Sequence, residues 1–108
     1  MSVVPGRFEL SLNGPLSLRT ITDHRASLLS ALTANSSVSL AIAEDAQIDL
    51  SFLQLVESAR IYAATSGRQI ALAKPASGTL RDLLERSGFL QDMSSEDANF
   101  WLHQGDVQ

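Results

Sequence analysis

The sequence predicts an α/β fold: a mixed β-sheet of four or five strands, with amphipathic helices packed mainly on one face. Three observations carry this. Short segments with an apolar residue at every second position alternate with longer ones that repeat every 3.6 residues. Turn and cap residues (Asn, Gly, Pro, Ser, Asp) fall between them. Strands separated by helices favour parallel pairs, and an opening hairpin would make the sheet mixed.

Taken in order, Arg7 to Leu12 alternate with Phe8, Leu10 and Leu12 on one side and Glu9 and Ser11 on the other. "NGP" at Asn13 to Pro15 is turn chemistry, and Leu16 and Leu18 resume the period, so a β-hairpin is expected. Helix one should begin near Thr20, where "TITD" has the form of a Thr-x-x-Asp capping box. Its apolar face is Ile21, Leu28, Leu29 and Leu32, and "NSS" at Asn35 to Ser37 ends it. Val38, Leu40 and Ile42 form the next strand, with Ser39, Ala41 and Ala43 small enough to seat a helix on its other side.

After the acidic loop "AEDAQID", a second helix carries Phe52, Leu55, Val56, Ala59 and Ala63 on one face, and Gly67 suits the position past its C-cap. Gln69 to Ala73 form a short apolar strand stopped by Pro75. A third helix over Thr79–Ser87 buries Leu80, Leu83 and Leu84 and ends at Gly88. "QDMSSED" reads as an exposed acidic loop, Asn99 to His103 as a last strand, and residues 103–108 as a frayed tail. One domain spans residues 1–108, with its core over about 7–102; no repeat or linker interrupts it.

Composition narrows the function. The chain of 108 residues carries a net charge of −4, with 44% hydrophobic and 19% charged residues. Its seven arginines and Lys74 are scattered, so no basic stripe exists to follow a phosphate backbone or an anionic membrane. No segment approaches the ~18 apolar residues of a membrane span, and "MSVVPGRFEL" lacks the pattern of a secretory signal. Cysteine is absent, which fits a cytoplasmic location.

An enzyme would need a constellation of reactive groups, and none is visible. His24 and His103 lie far apart and are expected to be neither catalytic nor metal-binding. There is no glycine-rich phosphate loop, and no cofactor or metal is expected. Asp82 and Glu85, beside Arg81 and Arg86, read as a solvated helix face with local ion pairs.

The stretch "IDLSFLQLVESARIYAATSGRQIALAKPASGTLRDLLERSGF" carries a family resemblance. The chain, over roughly Arg7 to Leu102, resembles a STAS domain, the fold of bacterial anti-sigma-factor antagonists and of the cytoplasmic tails of sulfate transporters. Family members have an aspartate ending a loop, two small residues, often a glycine and a leucine, then a helix. Here these positions are Asp49, Leu50, Ser51, Phe52 and Leu53, followed by Gly67, Pro75 and Gly88. Leu50 and Phe52 depart from the pattern, replacing a small residue and a glycine.

The resemblance implies a non-enzymatic regulatory domain that binds a protein partner in signal transduction. In the anti-sigma branch, a serine at the position of Ser51 is phosphorylated by a partner kinase. The partner expected here is a serine kinase, a histidine kinase of a chemotaxis or two-component system, or an ATPase subunit of a lipid transporter. Glu44, Asp45, Asp49, Ser51, Phe52, Gln54 and Glu57 form the expected contact surface. Two roles stay open for Ser51: phosphoacceptor, or plain N-cap, since "SFLQ" also has the form of a capping box. Phe52 likewise fits either a core position in the row of Val56 and Ala59 or an apolar interface anchor.

Overall fold

A computed structural model describes residues 7–12, 15–91 and 93–103. Within them the chain runs β1 (Arg7–Leu12), α1 (Ile21–Ala34), β2 (Ser37–Ile42), α2 (Leu50–Thr65), β3 (Gln69–Leu72), α3 (Gly78–Arg86) and α4 (Ser95–Leu102). The three strands form one sheet in the order β1-β2-β3, and both pairings are parallel. Right-handed crossovers, the rule for parallel strands, put α1 and α2 on the same face, and the two helices touch.

The register explains which face that is. Phe8, Val38 and Ile70 lie in one row across the sheet, and Leu10, Leu40 and Leu72 in the next on the same side. Val38, Leu40 and Leu72, with Leu10 and Ile70 packed against them, join one hydrophobic cluster with Leu28 and Leu32 of α1 and Phe52, Leu53 and Val56 of α2, while Phe8 at the sheet edge is exposed. The opposite face carries the small residues. Ser39 is buried there, but Glu9, Ser11, Gln69 and Ala71 are exposed. The helices therefore close on the apolar rows and not, as expected from Ser39, Ala41 and Ala43, on the small ones: burying the larger apolar area wins.

Two further expectations change. The opening hairpin does not form: β1 pairs with β2, and Leu16 makes a parallel bridge with Ile48. The Leu16 amide donates to Gln47 O at 2.6 Å, the Asp49 amide donates to Leu16 O at 3.2 Å, and Leu16 is fully buried. A two-residue period that resumes after a turn reads the same whether the chain folds back or runs on beside the next strand. Leu18, 70% exposed, is already outside the sheet. The turn residues Asn13 and Gly14 lie outside the described residues.

The last expected strand is a helix. Ser94 caps α4 by accepting from the Asp97 amide at 3.1 Å, and Glu96 and Asp97 sit in its first turn, where negative charge is favoured. "QDMSSED" is thus partly the start of α4. Aromatic residues suggested a strand, but a strand points neighbours to opposite faces. Here neighbouring Phe100 and Trp101 are both buried, their rings packed edge to face at 4.9 Å. His103 ends the helix with φ 55°, and residues 104–108 of the expected frayed tail lie outside the described residues.

Phe52 occupies the core and is fully buried, so its ring is not a surface anchor. Phe52→Ala should lower the unfolding free energy by about 3–5 kcal/mol, a large share of a small domain's margin. Thermal or urea unfolding reads this directly, and a midpoint near wild type would contradict the core role.

Candidate functional site

Asp49 organises the start of α2. It is the N-cap residue, extended at φ −127° and ψ −179°. Its Oδ1 accepts from the Ser51 amide at 3.0 Å and from the Ser51 hydroxyl at 2.5 Å. Its other oxygen, Oδ2, accepts from the Leu18 amide at 3.0 Å. One carboxylate thus caps the helix, orients Ser51 and holds the loop after β1.

This corrects the expected caps. Ser51 is the second residue of α2, not its cap, and its own amide is taken by Asp49. Thr20 makes no cap bond to α1 either. Its hydroxyl donates to Pro15 O at 2.7 Å, and His24 Nε2 donates to the same carbonyl at 2.9 Å. Both side chains serve the loop that meets Asp49. Local sequence favoured capping boxes, but a carbonyl presented by the preceding turn competes for the Thr20 hydroxyl and wins.

The donors around Asp49 hold its carboxyl below the ordinary 3.8, the Ser51 hydroxyl contributing most, against partial desolvation that pushes upward; the Leu18, Ser51 and Phe52 amides add to the lowering. An ionised carboxylate accepts these bonds better than a protonated one.

The other expected contact residues separate. Gln54 is exposed one turn along α2 from Ser51. Glu44 faces α3: its carboxylate lies 3.7 Å from Lys74 Nζ and accepts from Ser77 Oγ at 3.2 Å. The Glu44 carbonyl accepts from the Thr79 amide at 3.0 Å. Gly78, φ +59°, permits this approach, because a Cβ there would lie 2.3 Å from Glu44 O. Asp45 is exposed in the same loop. Glu57 points the other way, 3.1 Å from Arg60, whose guanidinium also reaches Asp97 of α4 at 3.0 Å. Only Asp49, Ser51 and Gln54 therefore share the helix start.

Sequence reasoning missed the loop at Pro15–Leu18. Leu18 is 70% exposed and Leu50 46%, so two apolar side chains flank the Asp49–Ser51 pair. No local signal marks them, since Leu18 meets Asp49 across 31 positions. Among the described residues no group of three or more His, Asp or Glu is placed to hold a metal, and no helix is long and apolar enough to cross a membrane. Comparisons with protein-family models, curated proteins and solved structures find no match.

The Asp49 shift sets a pH dependence. A carboxyl whose folded pKa is depressed contributes stability that is fully present above its unfolded value and lost as pH falls through the folded one. The stability gap between wild type and Asp49→Asn should therefore be widest at neutral pH and shrink as pH falls below 3.8. Urea unfolding at pH 7 and near pH 2.5 measures it, and a gap constant with pH would show that the charge on Asp49 contributes nothing.

Proposed function

We propose that this chain is a STAS-like regulatory domain that binds a protein partner through the start of α2, and that phosphorylation of Ser51 by a serine kinase switches that binding. The family-specific sheet of four or five strands belongs to this proposal; three parallel strands and four helices are what the described residues form. Supporting the reading is the quoted resemblance around Asp49, Leu50 and Ser51. The observation that carries it is the single carboxylate of Asp49, which holds both the Ser51 hydroxyl and the Leu18 amide.

The arrangement gives phosphorylation a definite consequence. The Ser51 hydroxyl now donates to Asp49. A phosphate ester has no such donor and brings about −1.5 to −2 charge. Two unit charges about 4 Å apart repel by about 1 kcal/mol in bulk water and about 4 kcal/mol at the effective dielectric near a protein surface. A hydrogen bond to a charged group contributes about 1.5–3 kcal/mol net, so the repulsion is of the size of the one bond that Asp49 accepts from Leu18. Repulsion therefore offsets that bond, and the carboxylate is loosened from the Leu18 amide. The Leu18 amide loses its acceptor, and the exposed apolar pair Leu18 and Leu50 changes its spacing. Unmodified chain presents a fixed surface, while modified chain presents a loosened and more negative one. The kinase supplies ATP and the base, so this chain needs no catalytic group of its own.

Two measurements test the switch. Intact mass of the protein isolated from its native cells should show one phosphate, absent in Ser51→Ala. In Ser51→Asp the Leu18 amide should exchange with solvent at least several-fold faster than in wild type, while partner binding weakens. Ser51→Ala should keep binding and lose about 1.5–3 kcal/mol of stability, the value of one hydrogen bond to a charged group. A Leu18 amide unchanged in Ser51→Asp would defeat the switch.

A further inference from the structure

The sheet ends at β3, and the far side of that strand is open. Gln69 and Ala73 donate their amides to Ser36 O and Leu40 O, at 2.9 and 2.8 Å. Alternation along a parallel ladder then turns the backbone groups of Ile70 and Leu72 away from β2. Among the described residues no strand lies beyond them. The Leu72 carbonyl accepts from His103 Nε2 at 3.1 Å. That leaves the amides of Ile70 and Leu72 and the carbonyl of Ile70 facing an open groove of about 890 Å³, walled by α2 on one side and α4 on the other.

A second feature of the groove concerns charge. Arg68, at the entry to β3, lines it. Its Nη1 donates to Asn35 O at 3.1 Å, but its Nε is buried with no partner among the described residues. Glu57 and Asp97 on the rim share the one guanidinium of Arg60, so with Glu96 the lining holds three carboxylates to two arginines, and Arg68 is the arginine of the lining that pairs with no carboxylate among the described residues. Glu96, exposed on the first turn of α4, is the groove's other charge. A buried guanidinium N–H without an acceptor is costly, and a carboxylate is its best partner.

We infer that the open edge of β3 docks an extended segment of a partner protein, which adds as a fourth strand and sets an acidic side chain against Arg68. Backbone groups supply the recognition, as in other strand-addition complexes. The inference does not rest on the Ser51 reading, since Arg60 on the groove wall lies nine residues along α2 from Ser51, about 13 Å by helical rise.

A second copy of this chain is a poorer occupant. Antiparallel self-pairing centred on Ala71 would set Ile70 opposite Leu72, but also Arg68 opposite Lys74 at both ends. Like charges directly opposite destabilise a pair, and cations on an edge strand guard against self-association.

The experiment uses random ten-residue peptides displayed against the intact chain, the best binders then being synthesised. Expected are peptides carrying an acidic residue that slow exchange of the Ile70 and Leu72 amides. Ile70→Pro should weaken them at least tenfold, because it removes an outward amide and no bond to β2; it also takes a side chain from the apolar row, so binding is compared at a temperature where the variant is folded. Arg68→Gln should weaken acid-bearing peptides several-fold. Should Ile70→Pro fail to fold, amide protection in wild type decides. No enriched peptide, binders that leave both amides unprotected, or amide protection that rises with protein concentration alone would each overturn the inference.

Discussion

Parallel pairing is the constraint on which the rest of this molecule depends. Strands that all point one way must be rejoined by return paths over the sheet, and α1 and α2 are those paths. All three strands then release their chain at the same end. The segments after β1, β2 and β3 are gathered there although they are far apart in sequence. That is why the loop after β1 reaches Asp49 and the loop after β2 reaches Thr79. The bridge from Leu16 to Ile48 extends the ladder just far enough to bring the Leu18 amide to the helix cap. A meander of antiparallel strands would have sent alternate loops to opposite ends and left no such cluster.

How much of this was legible follows from the range of each interaction. Helices α1, α2 and α3 lie within a residue or two of where periodicity placed them, and so do β2 and β3, because those patterns are local. Gly67 and Gly88, the expected helix terminators, both have positive φ. What the sequence could not decide was pairing. Leu16 and Leu18 fit a hairpin as well as a strand running on, and only the position of β2 settles it. The identity of α4 was obscured differently: its aromatic residues favour strands, whereas Ser94, Glu96 and Asp97 before them favour a helix start. Of the site, Asp49 and Ser51 were legible as a helix N-terminus. Which of them caps stayed open, because either residue type suits an N-cap and only geometry distinguishes them. Leu18 was beyond reach, since its place depends on tertiary structure.

Phe52 and Leu50 have separate physical accounts. Phe52 fills the core rather than the surface. Its ring is fully buried, whereas Ser51 beside it is half-buried. Leu50 is the residue that enlarges the surface, at 46% exposed beside the half-buried Ser51. The start of α2 therefore sets two exposed apolar side chains, Leu18 and Leu50, beside one carboxylate.

The end of the chain carries the last trade in the fold. Trp101 is fully buried, and its indole Nε1 has no hydrogen-bond partner among the described residues. An unsatisfied buried donor costs about 1–3 kcal/mol. Burying ~200 Å² of aromatic surface at about 25 cal/mol per Å² returns about 5 kcal/mol, so α4 docks despite the orphan. Edge contacts with Phe100 and Phe89, and Arg60 stacked 4.4 Å from the Phe100 ring centre, add to it. The Trp101 carbonyl then accepts from the Ala76 amide at 2.8 Å, which fixes α4 against the segment leaving β3. A strand at this place could not have buried both neighbouring aromatic rings on one side. Aromatic burial thus decided for a helix.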